Sequence, residues 1–331
     1  MEFTQVADTG LCPSRIGLGT WAMGGWMWGG ADDDAAIATI ARAFDAGITL
    51  IDTAPVYGQG HSEEVVGRAL SGRRERVTVA TKVGLRWDDR GGVTRDASAA
   101  RIQQEVEDSL RRLRTDYIDI YQVHWPDPRV PMEETATAMD ALYRSGKIRA
   151  IGVSNFSPIQ MDAFRRFAPL HTVQPPYNLF ERGAERDVLP YAKEHGIAAL
   201  TYGAICRGLL SGRMRADSVF TGDDLRRDDP KFQPPRFAQY LRAVERLDAL
   251  ARERFGRRVI HLALRWVLDQ PWISVALWGA RRPDQVDALS GALGFALDDA
   301  SKREIERIVD GEVTDPIGPE FMAPPLETSA V

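Results

Sequence analysis

Four side chains in the N-terminal part of the chain are of types that move protons, and their spacing lets them share one site. Asp52 ends the apolar run "ITLID", Tyr57 follows on "TAPVYGQG", Lys82 ends "VTVATK", and His124 lies near the end of "YIDIYQVHW". Singly, each has an ordinary structural explanation: a turn carboxylate, a lysine reaching for solvent, a hydrogen-bonded core histidine. Their coincidence on three successive strand-like segments is harder to explain in that way. A phenol of pKa ~10 donates poorly at neutrality unless a cation lies beside it. An ammonium about 4 Å away, at an effective dielectric of ~20, favours the phenolate by ~4 kcal/mol, roughly three pKa units. Asp52 would keep Lys82 charged in an apolar interior and would reduce that shift. His124 can orient a carbonyl oxygen by hydrogen bonding. Such a set suits adding a proton to an oxygen, or removing one, while the attached carbon reacts.

The elements that must position these groups follow from the apolar periodicity. Period-two alternation places Asp52 on the face of Leu50 and Ile48, Lys82 with Ala80 and Thr78, and His124 with Gln122, Ile120 and Ile118. The segments "RIGLG", "ITLID", "VTVATKVG", "YIDIYQVHW", "IRAIGVSN", "HTVQPPYN", "IAALTYGA" and "SVALWGA" make eight strand candidates. Helical patterns separate most of them, several ending at Gly47, Gly72, Gly146 or Gly196, where a left-handed residue is cheap. Eightfold strand–helix alternation predicts a closed (β/α)8 barrel of the TIM type, with active-site groups at the carboxyl ends of its strands. "FTQVADTGLCPS" predicts an N-terminal β-hairpin around Asp8-Thr9-Gly10 that caps the barrel bottom. Residues 207–238 predict a long irregular loop after strand seven, followed by helices over 239–255 and 258–269. Beyond the eighth strand, helices near 283–291 and 298–310 precede a Pro-rich tail. No linker or low-complexity tract interrupts the chain, so a single barrel domain over 1–331 is expected.

Composition narrows the function classes. The 331 residues are 44% hydrophobic and 27% charged, with a formal net charge of −5 and dispersed Lys and Arg, which argues against a nucleic-acid surface. No apolar run reaches the ~20 residues of a membrane span, and "MEFTQVADTG" lacks a signal-peptide pattern. Cys12 and Cys206 are far apart, so a reduced, cytoplasmic setting is the default expectation. The histidines form no HxxxH or HxH pair, so no metal site is expected. "GLGTWA" fits a loose dinucleotide fingerprint, but "MGGWMWGG" follows where a helix would have to begin. Trp21, Trp28, Trp87 and Trp125 fall on rim loops and are candidates for the substrate-pocket wall. His61, before an expected helix cap at Ser62, reads as structural.

The motifs "GLGTW", "DTAPVYGQGHSEEVVGRAL", "VATKVG", "VHWP", "IGVSNF", "QPPYN", "YGAICRGLLSG" and "ALWGARRPDQV" occur in an order that resembles the aldo-keto reductases over nearly the whole chain. The texture, including "GGWMWGG", "DPKFQ" and "FMAPP", is most similar to the bacterial general-stress-protein-like branch, some of whose members act on glyceraldehyde and other short hydroxyaldehydes. The resemblance implies hydride transfer between NADP(H) and a small-molecule carbonyl, with Asp52, Tyr57, Lys82 and His124 as catalytic tetrad and Tyr57 as proton donor. It implies that Ser154, Asn155 and Gln174 hold the carboxamide and that Tyr202 stacks on the nicotinamide. Gly19, Thr20 and Trp21 would border the cofactor, and the backbone of Gly203, Ala204, Cys206, Arg207 and Gly208 would follow the pyrophosphate. Gly279, Arg281 and Gln285 would meet the adenosine-phosphate end. Many family members carry Glu-Asn three and four positions after that glutamine, whereas this chain has Ala288 and Leu289, which puts the adenine contacts in question. Arg281 and Arg282 at a helix start suit a 2′-phosphate, favouring NADP(H) with NAD(H) possible. The nearest alternative is the same chemistry run as a sugar, alcohol or pyridoxal-type dehydrogenase; a cofactor-sensing binding protein is a further one.

Overall fold

The computed structural model describes residues 1–88 and 90–326. Eight parallel strands close into a barrel: β1 (Ile16–Gly19), β2 (Leu50–Asp52), β3 (Thr78–Val83), β4 (Ile118–Val123), β5 (Ile148–Ser154), β6 (Thr172–Gln174), β7 (Ala198–Thr201) and β8 (Ile273–Gly279). Consecutive strands pair around the ring and β8 returns to β1. This is the (β/α)8 TIM barrel that the strand–helix alternation predicts. Large and small residues alternate in its interior, where Leu50, Ala80, Ile120, Ala150, Ala198, Leu200, Val275 and Leu277 form one buried cluster. Such filling makes the barrel a packed core rather than a pore. The inner ring also receives Val6 from the N-terminal segment. That segment doubles back as expected: Val6 N–H donates to the Leu11 carbonyl at 2.9 Å and Thr4 N–H to that of Pro13 at 3.0 Å.

Helices cover the outside: α1 (Asp33–Asp45), α2 (His61–Ala69), α3 (Ala99–Leu113), α4 (Met132–Arg144), α5 (Pro158–Arg165), α6 (Val188–Glu194), α7 (Arg236–Phe255), α8 (Val259–Leu268), α9 (Pro283–Asp287) and α10 (Asp299–Glu312). Their starts follow the local chemistry. The Asp32 and Ser98 side chains accept from the third backbone N–H onward, and Ser157 with Gln160 forms a reciprocal capping box. Gly47, Gly72, Gly146 and Gly196 all take positive φ just beyond helix ends. No helix among the described residues is long and apolar enough to cross a membrane.

Three local expectations are corrected. Ser62 is no cap: α2 is preceded by Gly60 at φ 101°, and the Ser62 hydroxyl is buried beneath the strand ends. Trp87, expected on a rim loop, lies instead on a strand of a two-stranded antiparallel ladder, Leu85–Trp87 against Val93–Arg95. The segment 207–238 carries short 3-10 turns at Cys206–Ser211, Leu225–Arg227 and Pro230–Phe232, and α7 begins at Arg236, three residues earlier than its apolar period suggests.

Candidate active site

The strand register sets the polar groups side by side: Asp52 pairs with Gly19 and Ala80, Lys82 with Gln122, and Ser154 with Gln174. Lys82 and Asp52 point into the barrel mouth and are buried. Lys82 Nζ donates to Asp52 Oδ1 at 2.6 Å, to the Thr53 carbonyl at 2.9 Å and to the Tyr57 hydroxyl at 3.4 Å. The other Asp52 oxygen accepts from Gln174 at 2.8 Å and from Gln122 at 3.4 Å. The carboxylate is thereby satisfied on both sides, as a buried charge must be. Gln122 was absent from the expected site, although alternation had already put it on the face of His124. The His124 ring lies edge-on to Tyr57 with centroids 6.0 Å apart.

Tyr57 reaches this position through a backbone contact between distant parts of the chain. The turn after β2 folds back, with Tyr57 N–H on the Ala54 carbonyl at 3.1 Å and Gly60 N–H on that of Pro55 at 2.6 Å. It rests on the β1–α1 loop: a Cβ on Gly58, itself at φ 66°, would lie 2.1 Å from the Gly24 carbonyl oxygen, and one on Gly24 would lie 2.6 Å from the Tyr57 carbonyl. Beneath, the Ser62 hydroxyl bonds those of Thr20 at 2.8 Å and Thr53 at 3.0 Å, joining β1, β2 and α2 under the tyrosine turn. Gly58→Ala is therefore expected to cost about 2–4 kcal/mol in chemical denaturation, because backbone cannot yield as a side-chain tip can. The surviving folded fraction should also turn over more slowly, since the turn that carries Tyr57 must move. An alanine variant of unchanged stability and rate would show that the contact is dispensable.

Electrostatics differ from the charge-only expectation for the phenol. Burial first, and then the Asp52 carboxylate, push the Tyr57 hydroxyl well above its ordinary value, so Lys82 at 3.4 Å does not bring it towards neutrality. The phenol therefore rests protonated, the state from which an acid must start. Burial lowers Lys82, with the charges and hydrogen bond of Asp52 and the charge of Glu63 opposing that effect. Burial and the Lys82 charge hold His124 well below its ordinary value, so its ring is neutral around pH 7. The arrangement offers a protonated phenol, a neutral imidazole and a carboxylate-paired ammonium around one point, which is the equipment for protonating a carbonyl oxygen or deprotonating an alcohol.

The aromatic residues stand around that point. Trp21 stacks on Tyr57 at 5.8 Å and meets Trp28 edge-on at 5.5 Å. Trp87, Trp125, Trp26 and Val93 pack with Tyr57 against Ala54, Val56 and Leu85. Three rings carry an arginine on one face: Arg226 at Trp28, Arg101 at Trp87 and Arg95 at Trp125, 5.3–5.7 Å from the ring centroids. Among the described residues, the buried indole N–H groups of Trp21 and Trp28 have no hydrogen-bond partner.

From β5 round to β8 the strand ends form a second set of polar contacts. Ser154 donates to the Gln174 carbonyl at 2.7 Å, Asn155 Nδ2 to the His124 carbonyl at 3.0 Å, and the Tyr202 hydroxyl to Asn155 Oδ1 at 3.0 Å. Asn155 itself takes φ 61°. These residues do converge, but the Gln174 amide N–H is already used by Asp52. The Thr20 hydroxyl is likewise occupied, on the Asp52 carbonyl at 3.0 Å. Further round, Arg207 turns its side chain inward rather than to the groove, and the buried Cys206 thiol is pushed up to about 12 by burial. Gln285 caps α9, accepting from the backbone N–H of Arg281 at 2.8 Å and of Arg282 at 3.1 Å, so its side chain faces its own helix start. Arg281 donates to the Trp28 carbonyl at 2.8 Å, and Arg282 pairs with Asp284 at 3.1 Å. Ala288 and Leu289 open a 3-10 turn in which Leu289 is buried.

Glycines near the ends of β7 and β8 leave space beside the backbone. A Cβ on Gly279 would meet nothing within 4 Å, and at Gly203 the nearest atom would be Asn178 Nδ2 at 3.8 Å. Backbone is thus open to close approach along this arc. Two unpartnered indole donors lie on the β1 side. The loop after β7 crosses towards them, where Asp223 accepts from Met27 N–H at 2.7 Å and Gly29 N–H at 3.1 Å.

Comparison with known proteins agrees with the geometry. The model of the Aldo/keto reductase family matches residues 15–310. Aldo-keto reductase YhdN of Bacillus subtilis (strain 168) is 60% identical over 327 residues, covering 98% of both chains. An NADH-specific methylglyoxal reductase of Escherichia coli (strain K12) is 36% identical over 91% of this chain and 96% of its own. Among solved structures, the glycerol dehydrogenase AKR11B4 from Gluconobacter oxydans superimposes with a TM-score of 0.88 at 53% identity, over 97% of this chain and 99% of that one.

Proposed function

Since the chain belongs to the aldo/keto reductase family, we propose that it is an NADP(H)-dependent reductase of short aldehydes, hydroxyaldehydes such as glyceraldehyde among them, with Tyr57 as the proton donor. The observation that carries this reading is the Tyr57 hydroxyl 3.4 Å from an ammonium that is itself fixed by Asp52 at 2.6 Å. The cofactor, when bound, supplies the hydride. Ser154, Asn155, Gln174 and Tyr202 would hold its carboxamide and ring, and Gly203–Gly208 its pyrophosphate. Neutral His124 orients the carbonyl oxygen, and Tyr57 delivers its proton to that oxygen. Lys82 stabilises the phenolate left behind, since an adjacent ammonium favours the charged form. The tryptophans exclude water and limit the pocket to small substrates.

A panel of short aldehydes and the corresponding alcohols, run with NADPH, NADH and their oxidised forms, tests the reading. Turnover of aldehydes with NADPH is expected. Absence of turnover with every aldehyde, alongside tight NADPH binding, would remove the enzymatic reading. The glycerol dehydrogenase likeness favours a second outcome, faster oxidation of a polyol by the same residues.

Preference for NADP(H) rests on Arg281, whose partner is a backbone carbonyl rather than an acid, whereas Arg282 is paired with Asp284. Guanidinium suits a phosphate with two parallel hydrogen bonds. The E. coli relative is NADH-specific by name, so both cofactors have to be compared. Arg281→Ala is expected to raise KM for NADPH about tenfold or more, the scale of one charge-assisted hydrogen bond, and to leave NADH nearly unaffected. An equal effect on both would take Arg281 away from the 2′-phosphate.

A further inference from the structure

Outside the tetrad, the protein buries a second group of four charges. Glu181, after β6, and Arg207, Asp229 and Lys231, after β7, are 3%, 7%, 0% and 0% exposed. Arg207 reaches Glu181 with one nitrogen and Asp229 with another, the latter at 2.6 Å. Lys231 Nζ lies 2.9 Å from Glu181 and 3.8 Å from Asp229, and donates to the Gly318 carbonyl at 2.9 Å. Asp229 also accepts from Lys231 N–H at 2.9 Å, and Glu181 from Asn178 Nδ2 at 2.7 Å. The same Asn178 nitrogen donates to the Gly203 carbonyl at 3.0 Å. Two cations and two anions thus close a neutral ring joining the loop after β6, the turn after β7, the long loop and the C-terminal segment. Burial pushes the Glu181 carboxyl up, but Arg207 and Lys231 outweigh it and hold the group below its ordinary range.

An apolar cluster of the same volume would often serve stability as well or better, because desolvating charges offsets most of what their pairing returns. What the ring provides instead is geometry. Cys206 and Arg207 both take left-handed conformations, φ 46° and 52°, followed by Gly208 at 90° and preceded by Gly203 at 77°. Non-glycine residues stay there only when their surroundings over-determine them. Arg207 is held at two points by carboxylates on different loops, which is such a constraint, and Asn178 fixes the Gly203 end.

We propose that the side chains of Glu181, Arg207, Asp229 and Lys231 act as positioning groups: their ring holds the Gly203–Gly208 backbone in the shape that receives the cofactor pyrophosphate, while the four side chains themselves do not touch the cofactor. This rests on the proposed placement of the cofactor along that backbone. Because the pyrophosphate is common to both cofactors, the ring sets affinity for NADPH and NADH alike, unlike Arg281.

The test measures dissociation constants for NADPH and NADH by quenching of tryptophan fluorescence, with circular dichroism to establish folding. The variants are Arg207→Lys, which keeps the charge but loses the fork, and Asp229→Asn, which keeps the shape but loses one anion. Both are expected to weaken both cofactors by the same factor, about tenfold, the size of one lost charge-assisted contact, while kcat at saturating cofactor changes far less. Should either variant fail to fold, the milder Lys231→Arg serves in the same comparison. Unchanged affinity in a folded variant overturns the proposal, as does a loss confined to NADPH, which would place Arg207 on the 2′-phosphate. A wild-type protein that binds neither cofactor overturns the functional reading itself, whereas wild-type binding with unaltered variants overturns this inference alone.

Discussion

Tyr57→Phe is expected to reduce aldehyde turnover about 10³-fold, within the range that general acids contribute, while cofactor affinity stays within about a factor of two. The substitution removes one oxygen. Phenylalanine keeps the ring that stacks on Trp21 at 5.8 Å and the turn that Gly24 and Gly58 support. It takes away the only hydroxyl that Lys82 meets among the side chains of the described residues, 3.4 Å from its ammonium. His124 is neutral, so its N–H is a weak acid that can orient an oxygen but yields a proton poorly. Retained turnover in the variant would move the proton-donor role to His124 or to water and would overturn the assignment. Binding measured by tryptophan quenching separates lost chemistry from lost cofactor.

Asp52→Asn is expected to be comparably severe, by a different route. The variant keeps the shape but leaves the Lys82 ammonium buried with only neutral acceptors, the amide oxygen, the Thr53 carbonyl and the Tyr57 hydroxyl. Breaking a buried pair from one side typically costs about 3–5 kcal/mol. For a chain of this length that lowers Tm by about 4–7 °C. Lys82 already has a lowered pKa from burial, against which Asp52 works. Without Asp52 it falls further, and the folded state binds a proton less readily than the unfolded chain over a wider window. Stability of such a group is fullest above the unfolded lysine value and declines as pH falls from there. The deficit of Asp52→Asn against wild type should therefore narrow as pH is raised from 7 towards 10.5. A deficit of the same size at both ends would mean that the charge of Lys82 is not its cause. Turnover at pH 7 should fall as well, because a Lys82 that gives up its proton more readily stabilises the phenolate less.

The barrel was readable because its interior obeys alternation: once Leu50, Ala80 and Ile120 are assigned inward, Asp52, Lys82 and Gln122 follow two residues later. Helix ends were readable for the same local reason, through Gly47, Gly72, Gly146 and Gly196. What escaped depends on contacts between distant segments. Nothing near Ser62 in the chain says that its hydroxyl will be taken by Thr20 and Thr53, leaving Gly60 to open the helix. Nothing in "CRGLLSG" gives the direction of the Arg207 side chain, which is set by Glu181 and Asp229, more than twenty positions away on either side. The Tyr57 phenol was misjudged because its burial was left out; burial is the largest effect raising it, and the Asp52 carboxylate adds to that. The hairpin at 85–95 did leave a signal, "DDRGG" between short alternating arms, with Gly91 at φ 81°.

Among the described residues, every hydrogen bond that Lys82 Nζ makes, to Asp52, Thr53 and Tyr57, goes to one run of six consecutive residues. For protein engineering this makes the proton-handling unit nearly a cassette: one strand end with its turn, one lysine on the neighbouring strand, and a glycine opposite to seat the turn. Loops carrying Trp87 and Trp125 could be exchanged around it with little change to that unit, whereas the β1–α1 loop carries Gly24 as well as Trp28 and has to stay. A graft of the six residues into another parallel barrel would fail unless a counterpart of Gly24 came with them, because its carbonyl lies where any Cβ on Gly58 would go.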